Sequence, residues 1–224
     1  LRQFIDVLIP RGSQSFIDHI YNIAKVPIIE TGAGNCHTYV DEEADLNMAE
    51  KILFNAKTQR PAVCKATKKV IIHSKIAEEF IKIAKPGLLK WGVEFLADER
   101  ALKMIPEAKP MEEAGWYEEF LDKRLGVKII DSMEEAINHI NHYGSHHSDA
   151  IITRNYSKAM NFINAVDSAS VYWNASTRFT DGGEFGLGAE IGISTQKLHW
   201  RGPMSIGQLM SKKFVILGEG QIRK

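Results

Sequence analysis

Cys64 is the residue of this chain best suited to covalent chemistry. It lies between Lys51 and Lys75 in a stretch without acidic residues, and the basic residues around it are Lys57, Arg60, Lys65, Lys68 and Lys69. Nearby positive charge favours the thiolate, the nucleophilic form of cysteine. Because Pro61 ends the preceding helix pattern, we expect Cys64 in a short loop, where its side chain and a free backbone N–H can face one substrate. The alternative is a buried structural thiol, the commoner state of free cysteine.

The other reactive residue types give weaker signals. Cys36 lies in an apolar run without basic neighbours, which favours a structural thiol. A cluster of histidines could hold a metal ion, but Gly144 interrupts its helical spacing and Asp149 is its only acidic neighbour. We therefore predict surface histidines and no metal site for this cluster, which comprises His139, His142, His146 and His147.

Composition and charge limit the classes of function. The chain has 224 residues, of which 44% are hydrophobic and 25% charged, and its formal net charge is +0. A neutral chain lacks the basic excess typical of nucleic-acid or anionic-membrane binding. No apolar run approaches the ~20 residues of a membrane helix. Two cysteines do not make a disulfide scaffold, so free thiols in a reducing cytoplasm are expected. We predict a cytoplasmic globular protein that binds neither nucleic acid nor membrane.

Strand-like apolar runs alternate with amphipathic helix patterns, which predicts an α/β fold with a mostly parallel sheet. Ser13, Asp45 and Ser74 are predicted helix N-caps, and Pro86 with Gly87 is predicted to end the helix that Ser74 begins. The predicted strands are residues 4–9, 26–29, 36–40, 70–73, 93–96, 127–130, 150–153, 170–173 and 214–217. The predicted helices are residues 14–24, 74–83, 133–142 and 157–166 and the segment after Asp45.

Two long irregular segments, residues 106–116 and 174–188, interrupt this alternation. Long loops inside a compact domain are usually functional or mobile. The second segment contains four glycines together with Ser176, Thr177, Arg178 and Asp181. This composition is suited to a loop that wraps around a polar ligand.

Several segments resemble those of a known family. The sequences NAKTQRPAVC, NASTRFTDGGEFGLGAEIGISTQKLH and RGPM are similar to those of the gamma-glutamyl phosphate reductases, a proline-biosynthesis family of the aldehyde dehydrogenase superfamily. The similarity covers essentially the whole chain and includes IDVLIPRGS, ETGAGNCHTYVDEEAD and YGSHHSDAIIT. Since members of this family are about twice as long, the chain is expected to be the C-terminal half of such a protein.

The resemblance implies an aldehyde-dehydrogenase-like catalytic domain at residues 36–194. Residues 1–35 would then be the remnant of a Rossmann-like cofactor domain, and residues 195–224 an oligomerisation segment. The implied reaction is the NADPH-dependent reduction of gamma-glutamyl phosphate to glutamate 5-semialdehyde and phosphate through a cysteine thioester. The implied partners are further copies of the chain and glutamate 5-kinase. With most of the cofactor domain outside the chain, the fragment alone is expected to be limited in activity.

The family's motifs also imply roles for individual residues. Cys64 matches the thioester-forming cysteine, and Glu119 matches the glutamate that holds the nicotinamide ribose. Gly12 and Ser13 match a pair that faces the cofactor. The implied substrate contacts are Arg178, Ser176, Thr177 and Arg60, with either Arg60 or Lys57 neutralising the phosphate.

The chain also departs from the family's pattern, and other functions remain open. The departures are Lys65, Lys123, Arg124 and Trp200; Lys65 follows Cys64 where the family usually has Asn. An oxidising or CoA-dependent aldehyde dehydrogenase would use the same cysteine with Glu30 as general base, although a glutamate at a strand end more often faces solvent or pairs with a lysine. A non-catalytic assembly domain would pair with another chain through the strand predicted at residues 214–217.

Overall fold

A single sheet of seven strands organises the chain. The computed structural model describes residues 2–224 apart from the side chain of Gln14, so the first residue of the predicted segment 1–35 lies outside the described residues. The strands are β1 Cys36–Val40, β2 Thr67–His73, β3 Glu94–Ala97, β4 Lys109–Pro110, β5 Arg124–Ile130, β6 Ser148–Ile152 and β7 Ser170–Trp173. They pair in the order β4-β3-β5-β2-β1-β6-β7, and every pairing is parallel. The predicted α/β fold with a parallel sheet is confirmed.

Helices connect the strands and cover the sheet. They are α1 Gln14–Ile23, α2 Leu46–Thr58, α3 Ala77–Lys90, α4 Glu99–Leu102, α5 Glu113–Tyr117, α6 Met133–Tyr143 and α7 Tyr156–Ala165. The predicted N-caps at Ser13 and Asp45 are confirmed, because each side chain accepts hydrogen bonds from backbone N–H groups of the first helical turn. Ser74 instead begins a short 3-10 turn, Ser74–Ile76, before α3.

Alternation along β2 shows how the two faces of the sheet are buried. Val70 and Ile72 pack into a large apolar cluster with residues of α2 and α3. Ile71, between them, packs on the opposite face with Ile140 of α6 and Phe162 of α7. Successive strand residues point to opposite faces, so both faces of β2 are covered by packed residues. Strand β2, which follows the Cys64 loop, is therefore packed on one face by α2 and α3 and on the other by α6 and α7.

The predicted end of the third helix is wrong. Helix α3 continues through Pro86 and Gly87 to Lys90. Pro86 is exposed, so the carbonyl that loses its N–H partner there is open to water, which reduces the penalty. Leu88 is buried one residue after Gly87 and keeps the last turn on the core.

Three predicted strands are also wrong. Residues 4–9 and 26–29 meet only at the isolated parallel bridge between Leu8 and Ile28. Residues 214–217 form no strand, and their side chains are exposed. An apolar run forms a strand only where a neighbouring edge accepts its hydrogen bonds, and the described residues offer none here.

The two long segments contain short elements of their own. The first holds β4 and α5, and the second holds a 3-10 turn at Thr177–Phe179. After it, β8 Gly192–Ser194 and β9 Gly202–Met204 form a small antiparallel sheet. Within residues 2–224, no helix combines the length and apolarity that crossing a membrane requires.

Candidate active site

Cys64 lies in the short loop between α2 and β2, as predicted. Hydrogen bonds from Val63 N to Arg60 O (3.4 Å) and from Ala66 N to Val63 O (3.1 Å) form the turn. Cys64 is half-buried, and neither its backbone N–H nor that of Lys65 donates to a described residue. The loop thus presents a thiol together with available backbone donors, as an oxyanion site requires.

Gly34, two residues before β1, packs against the backbone of Cys64. A Cβ atom at Gly34 would lie 1.9 Å from the carbonyl oxygen of Cys64, so only glycine fits. Gly34 N donates to Oε1 of Glu119 at 2.7 Å, and Glu119 lies between α5 and β5. Segments far apart in sequence therefore meet at the amino-terminal edge of the sheet, where they bring the predicted nucleophile close to the predicted cofactor residue.

Lys68, in β2, supports the same groups from inside the protein. Its side chain is 0% exposed, and Nζ lies 3.9 Å from Oε1 of Glu119. Nζ also donates to the carbonyl oxygens of Val63 and Cys64, at 2.9 Å for Cys64. The same Cys64 oxygen accepts from Sγ of Cys36 at 3.2 Å. These contacts fix the backbone of the loop, and the full burial of Cys36 agrees with its predicted structural role.

Burial raises the pKa of the Cys64 thiol above its usual value. The charges of Lys68 and Lys65 lower this pKa, whereas the carboxylates of Glu119 and Glu190 raise it. The neighbouring lysines therefore favour the thiolate as predicted, but their effect is smaller than that of burial, which the sequence did not reveal. Desolvation disfavours the charged form and outweighs the attraction.

The glycine-rich loop approaches Cys64 from another side. Thr177 Oγ1 donates to the carbonyl oxygen of Lys65 at 2.7 Å. The Lys65 ammonium pairs with Asp181 and lies 3.6 Å from Glu190, and only 6% of its side chain is exposed. Lys65, one of the departures from the family pattern, thus connects the glycine-rich loop to the Cys64 loop.

Arg178 is positioned by Gln59, which follows the last turn of α2. Its Nε donates to Gln59 Oε1 at 2.9 Å, while Nη1 is buried and has no hydrogen-bond partner among residues 2–224. Burial lowers the pKa of Arg178, and the nearby Cys64 raises it while Arg60 lowers it. The guanidinium therefore lies close enough to Cys64 and Arg60 to act on them electrostatically.

A cavity of about 180 Å³ opens beside Arg178. Cys64 and Glu119 are not among the residues that line it. The cavity is connected to the Cys64 loop through Asp181, whose partner Lys65 is the next residue after Cys64. The lining residues are Asn55, Gln59, Arg178, Phe179, Asp181 and Glu184.

The remaining predicted substrate residues have different surroundings. Ser176 is buried, and its Oγ accepts from Arg178 N at 3.3 Å. Thr177 is 0% exposed and donates to Lys65. Both hydroxyls hold the loop in place through contacts inside the protein. Arg60 is exposed at the start of the Cys64 loop.

Lys57 and the predicted cofactor pair lie apart from this group. Lys57 is 0% exposed, and its charged neighbours are Lys68, Asp122 and Arg124 rather than Arg178. The expectation that Lys57 neutralises the phosphate is therefore wrong, because its ammonium is enclosed. Gly12 and Ser13 make local contacts: Ser13 Oγ accepts from Phe16 N at 3.3 Å.

The histidine cluster is not the predicted surface cluster. His139 and His147 are buried, and burial lowers the pKa of His139 to about 2 and that of His147 to about 3. His142 is exposed and shares a 2.7 Å hydrogen bond with the hydroxyl of Tyr117. In the described part of the chain, no group of three His, Cys, Asp or Glu side chains could hold a metal ion.

Sequence reasoning missed two residues that build the site. Gly34 was not singled out, although a glycine close to the start of a buried strand is a signal for close backbone approach. Lys68 was treated as part of the charge around Cys64; it precedes the predicted strand at residues 70–73, and the sequence carries no signal of its burial. Its side chain supports the Cys64 loop from within.

Glu119 is the described residue best suited to bind a nicotinamide cofactor. Its Oε1 accepts from Gly34 N and faces Lys68, whereas its Oε2 makes no hydrogen bond to the described residues. A carboxylate fixed at one oxygen can accept from a ribose hydroxyl at the other. The Glu119 carboxylate therefore fits such a group.

Solved structures define the class. The fold matches an acetylating aldehyde dehydrogenase from Geobacillus thermoglucosidasius, with a TM-score of 0.74 at 18% identity over 98% of this chain and 58% of that chain. It also matches an engineered glycolyl-CoA reductase solved with bound NADP+, with a TM-score of 0.67 at 16% identity over 90% of this chain and 53% of that chain. The chain has the aldehyde dehydrogenase fold.

Sequence narrows this class to one family. The chain is 59% identical over 221 residues to gamma-glutamyl phosphate reductase of Dictyoglomus turgidum, which covers 99% of this chain and 53% of the relative. The crystal structure of gamma-glutamyl phosphate reductase from Thermotoga maritima matches with a TM-score of 0.96 at 47% identity, over 100% of this chain and 54% of that chain. No protein-family model matches the chain. The chain is related from end to end to the gamma-glutamyl phosphate reductases, and it spans about half the length of the curated relatives it matches.

Proposed function

We propose that this chain carries the acyl-transfer site of an NADPH-dependent reductase that converts gamma-glutamyl phosphate to glutamate 5-semialdehyde and phosphate. One observation supports this most directly. The Cys64 loop lies between the Gly34–Glu119 contact on one side and the Arg178 loop on the other. The proposed nucleophile, the proposed cofactor residue and a cation suited to an anionic substrate group thus lie near one another.

The proposed reaction begins at the Cys64 sulfur. As a thiolate it attacks the γ-carbonyl carbon; a C–S bond forms, the bond from carbon to the phosphate oxygen breaks, and phosphate leaves with the electron pair. The free N–H groups of Cys64 and Lys65 would stabilise the oxyanion that develops during this step. NADPH, when bound, supplies the hydride that reduces the thioester. The C–S bond then breaks, which releases the aldehyde and restores the thiolate.

The surrounding residues would position these groups. Lys68 holds the carbonyl oxygens of the loop, so that the N–H groups of the same peptides face the substrate. Glu119 would orient the nicotinamide ribose through its free Oε2. Arg60, exposed at the start of the loop, would neutralise the leaving phosphate. Gly12 and Ser13 stay candidates for cofactor contact.

We also propose that the whole protein acts as a homo-oligomer and receives its substrate from glutamate 5-kinase. The supporting argument is chemical: an acyl phosphate hydrolyses readily, and forming it from a carboxylate requires phosphoryl transfer. A reductase that uses this substrate therefore depends on a kinase for the γ-carboxylate of glutamate.

The test is the reverse reaction in the protein that carries this chain. We expect L-glutamate 5-semialdehyde to reduce NADP+ only when inorganic phosphate is present, and Cys64→Ala to abolish the reaction. Cys36→Ala, with a structural thiol removed, is the matched control and should keep measurable activity. Reduction that proceeds without phosphate, or that requires CoA in its place, would instead favour one of the other aldehyde dehydrogenase activities.

A further inference from the structure

The cavity beside Arg178 contains groups of both charge signs that lack partners. The guanidinium makes one hydrogen bond within residues 2–224, from Nε to Gln59, so Nη1 and Nη2 stay available. The Glu184 carboxylate also has no ion pair or hydrogen bond to a described side chain. The Asp181 carboxylate already has partners, since one oxygen pairs with Lys65 and the other accepts a hydrogen bond from Gly183 N at 2.9 Å.

The other walls suit a small polar molecule with an apolar middle. Asn55 and Gln59 contribute side-chain amides, which can donate to a carboxylate. Phe179 contributes a ring that is 50% exposed. An exposed aromatic ring between polar groups can cover the methylene groups of a bound ligand.

We propose that this cavity binds the α-amino-acid end of the substrate, with the α-carboxylate on Arg178 and the α-ammonium on Glu184. The inference rests on the proposed function and specifies which chemical group of the substrate the cavity recognises. The planar fork of arginine matches a carboxylate in two parallel hydrogen bonds. Gln59 fixes this fork from behind through Nε.

The charge of the cavity distinguishes this ligand from a phosphate. A phosphate dianion placed on Arg178 would also lie beside the carboxylates of Asp181 and Glu184, which repel it. An α-amino acid end is neutral overall and presents one charge to each wall. The phosphate of the same substrate would then lie nearer to Arg60, outside the cavity.

One ion pair connects the cavity wall to the loop that carries Cys64. Asp181 belongs to the cavity wall, and its partner Lys65 follows Cys64 directly. Two methylene groups separate the α-carbon of glutamate from its γ-carbonyl carbon. Binding at the α end would therefore leave the γ-carbonyl directed toward the nucleophile loop.

The test is ligand binding to the chain itself, measured by NMR titration at pH 7 with L-glutamate, glutarate and 4-aminobutyrate. Glutarate lacks the α-ammonium, and 4-aminobutyrate lacks the α-carboxylate. We expect glutarate and 4-aminobutyrate to bind about tenfold more weakly than L-glutamate, since each of the two ligands loses one charge-assisted contact. Arg178→Gln should weaken the binding of L-glutamate by a similar factor. Glu184→Gln should weaken the binding of L-glutamate and leave the binding of glutarate unchanged. Arg154→Gln, an exposed residue paired with Asp45, is the control and should change nothing.

Each contrary outcome overturns the inference. Equal binding of glutarate and L-glutamate would exclude recognition of the ammonium, and absence of binding by all three ligands would exclude the site. Inorganic phosphate that displaces L-glutamate at lower concentration than glutarate would make the cavity a phosphate site. These outcomes are independent of the phosphate-dependent reduction of NADP+, so the two proposals can fail separately.

Discussion

Replacing Lys57 by Met tests the energetics of the buried lysines behind Cys64. The Lys57 side chain is 0% exposed, and Nζ has no hydrogen-bond partner among residues 2–224. Burial, reinforced by the charge of Lys68, lowers the pKa of Lys57 from 10.5 to about 7. At about 1.4 kcal/mol per pKa unit, the charged form in the folded protein corresponds to about 5 kcal/mol of lost stability. Met is unbranched and of similar length, so it can fill the same space without the charge.

We expect Lys57→Met to raise the free energy of unfolding at pH 6.5. Local relaxation reduces the full penalty of a buried charge, so the expected gain is about 2–3 kcal/mol. Urea unfolding followed by circular dichroism measures it. Lys69→Met is the matched control, because Lys69 lies in the same interior but donates to Asn35 Oδ1 and to the carbonyl oxygen of Glu118. Its replacement removes the donor from both acceptors, of which Asn35 Oδ1 is buried, so its gain should be smaller or negative.

The pH dependence follows from the direction of the two lysine shifts. The unfolded chain keeps Lys57 protonated up to about pH 10.5, whereas the folded chain loses this proton near pH 7. The unfolded state therefore binds more protons between these values, and the free energy of unfolding rises with pH. Lys69, whose pKa burial also lowers to about 7, acts in the same way. Lys57→Met should reduce the slope by about 1.4 kcal/mol per pH unit between pH 7 and 9. An unchanged slope, or a loss of stability at pH 6.5 greater than that of Lys69→Met, would refute the reasoning.

Two further predictions concern the Cys64 loop. Gly34→Ala places a Cβ atom 1.9 Å from the Cys64 carbonyl oxygen; we expect it to lower the free energy of unfolding by about 3 kcal/mol and to disturb the reactivity of Cys64. Gly207→Ala, with no heavy atom within 4 Å, should be neutral, and equal stability of the two variants would contradict the packing. Because burial raises the pKa of Cys64, alkylation of this thiol by iodoacetamide should be slow at pH 7 and still rising at pH 9. Lys68→Met should slow the alkylation further, since Lys68 is the charge that lowers the pKa of Cys64 most. An alkylation rate that no longer rises above pH 8 would count against the burial argument.

The parts of the fold that local pattern determines could be predicted from the sequence. Strand β1 has the predicted bounds, β2 includes the predicted residues 70–73, and the turn at Pro61 precedes Cys64 as expected. The prediction of a strand at residues 214–217 was wrong, because an apolar run does not show whether the edge of a neighbouring strand is available. Helix α3 passes Pro86 because the ring faces solvent, which sequence alone does not state.

The site was less predictable, because its contacts join distant parts of the chain. Gly34 and Glu119 are 85 residues apart, and Thr177 is 112 residues from Lys65. The charge around Cys64 is visible in the sequence, but the burial that raises its pKa is not. Residue types and resemblance therefore selected Cys64 as the proposed nucleophile, while the electrostatic environment of Cys64 required the three-dimensional arrangement.

The most direct test of the central proposal is to identify the sulfur that an acyl phosphate modifies. The chain is incubated with acetyl phosphate, quenched in acid and digested, and the peptides are analysed by mass spectrometry while released phosphate is measured. The proposed first half of the reaction involves residues of this chain and no cofactor. We predict one acyl group on the peptide that contains Cys64, released phosphate in equal amount, and no modification of Cys36. Acylation of Cys36, or phosphate release without a thioester at Cys64, would contradict the account.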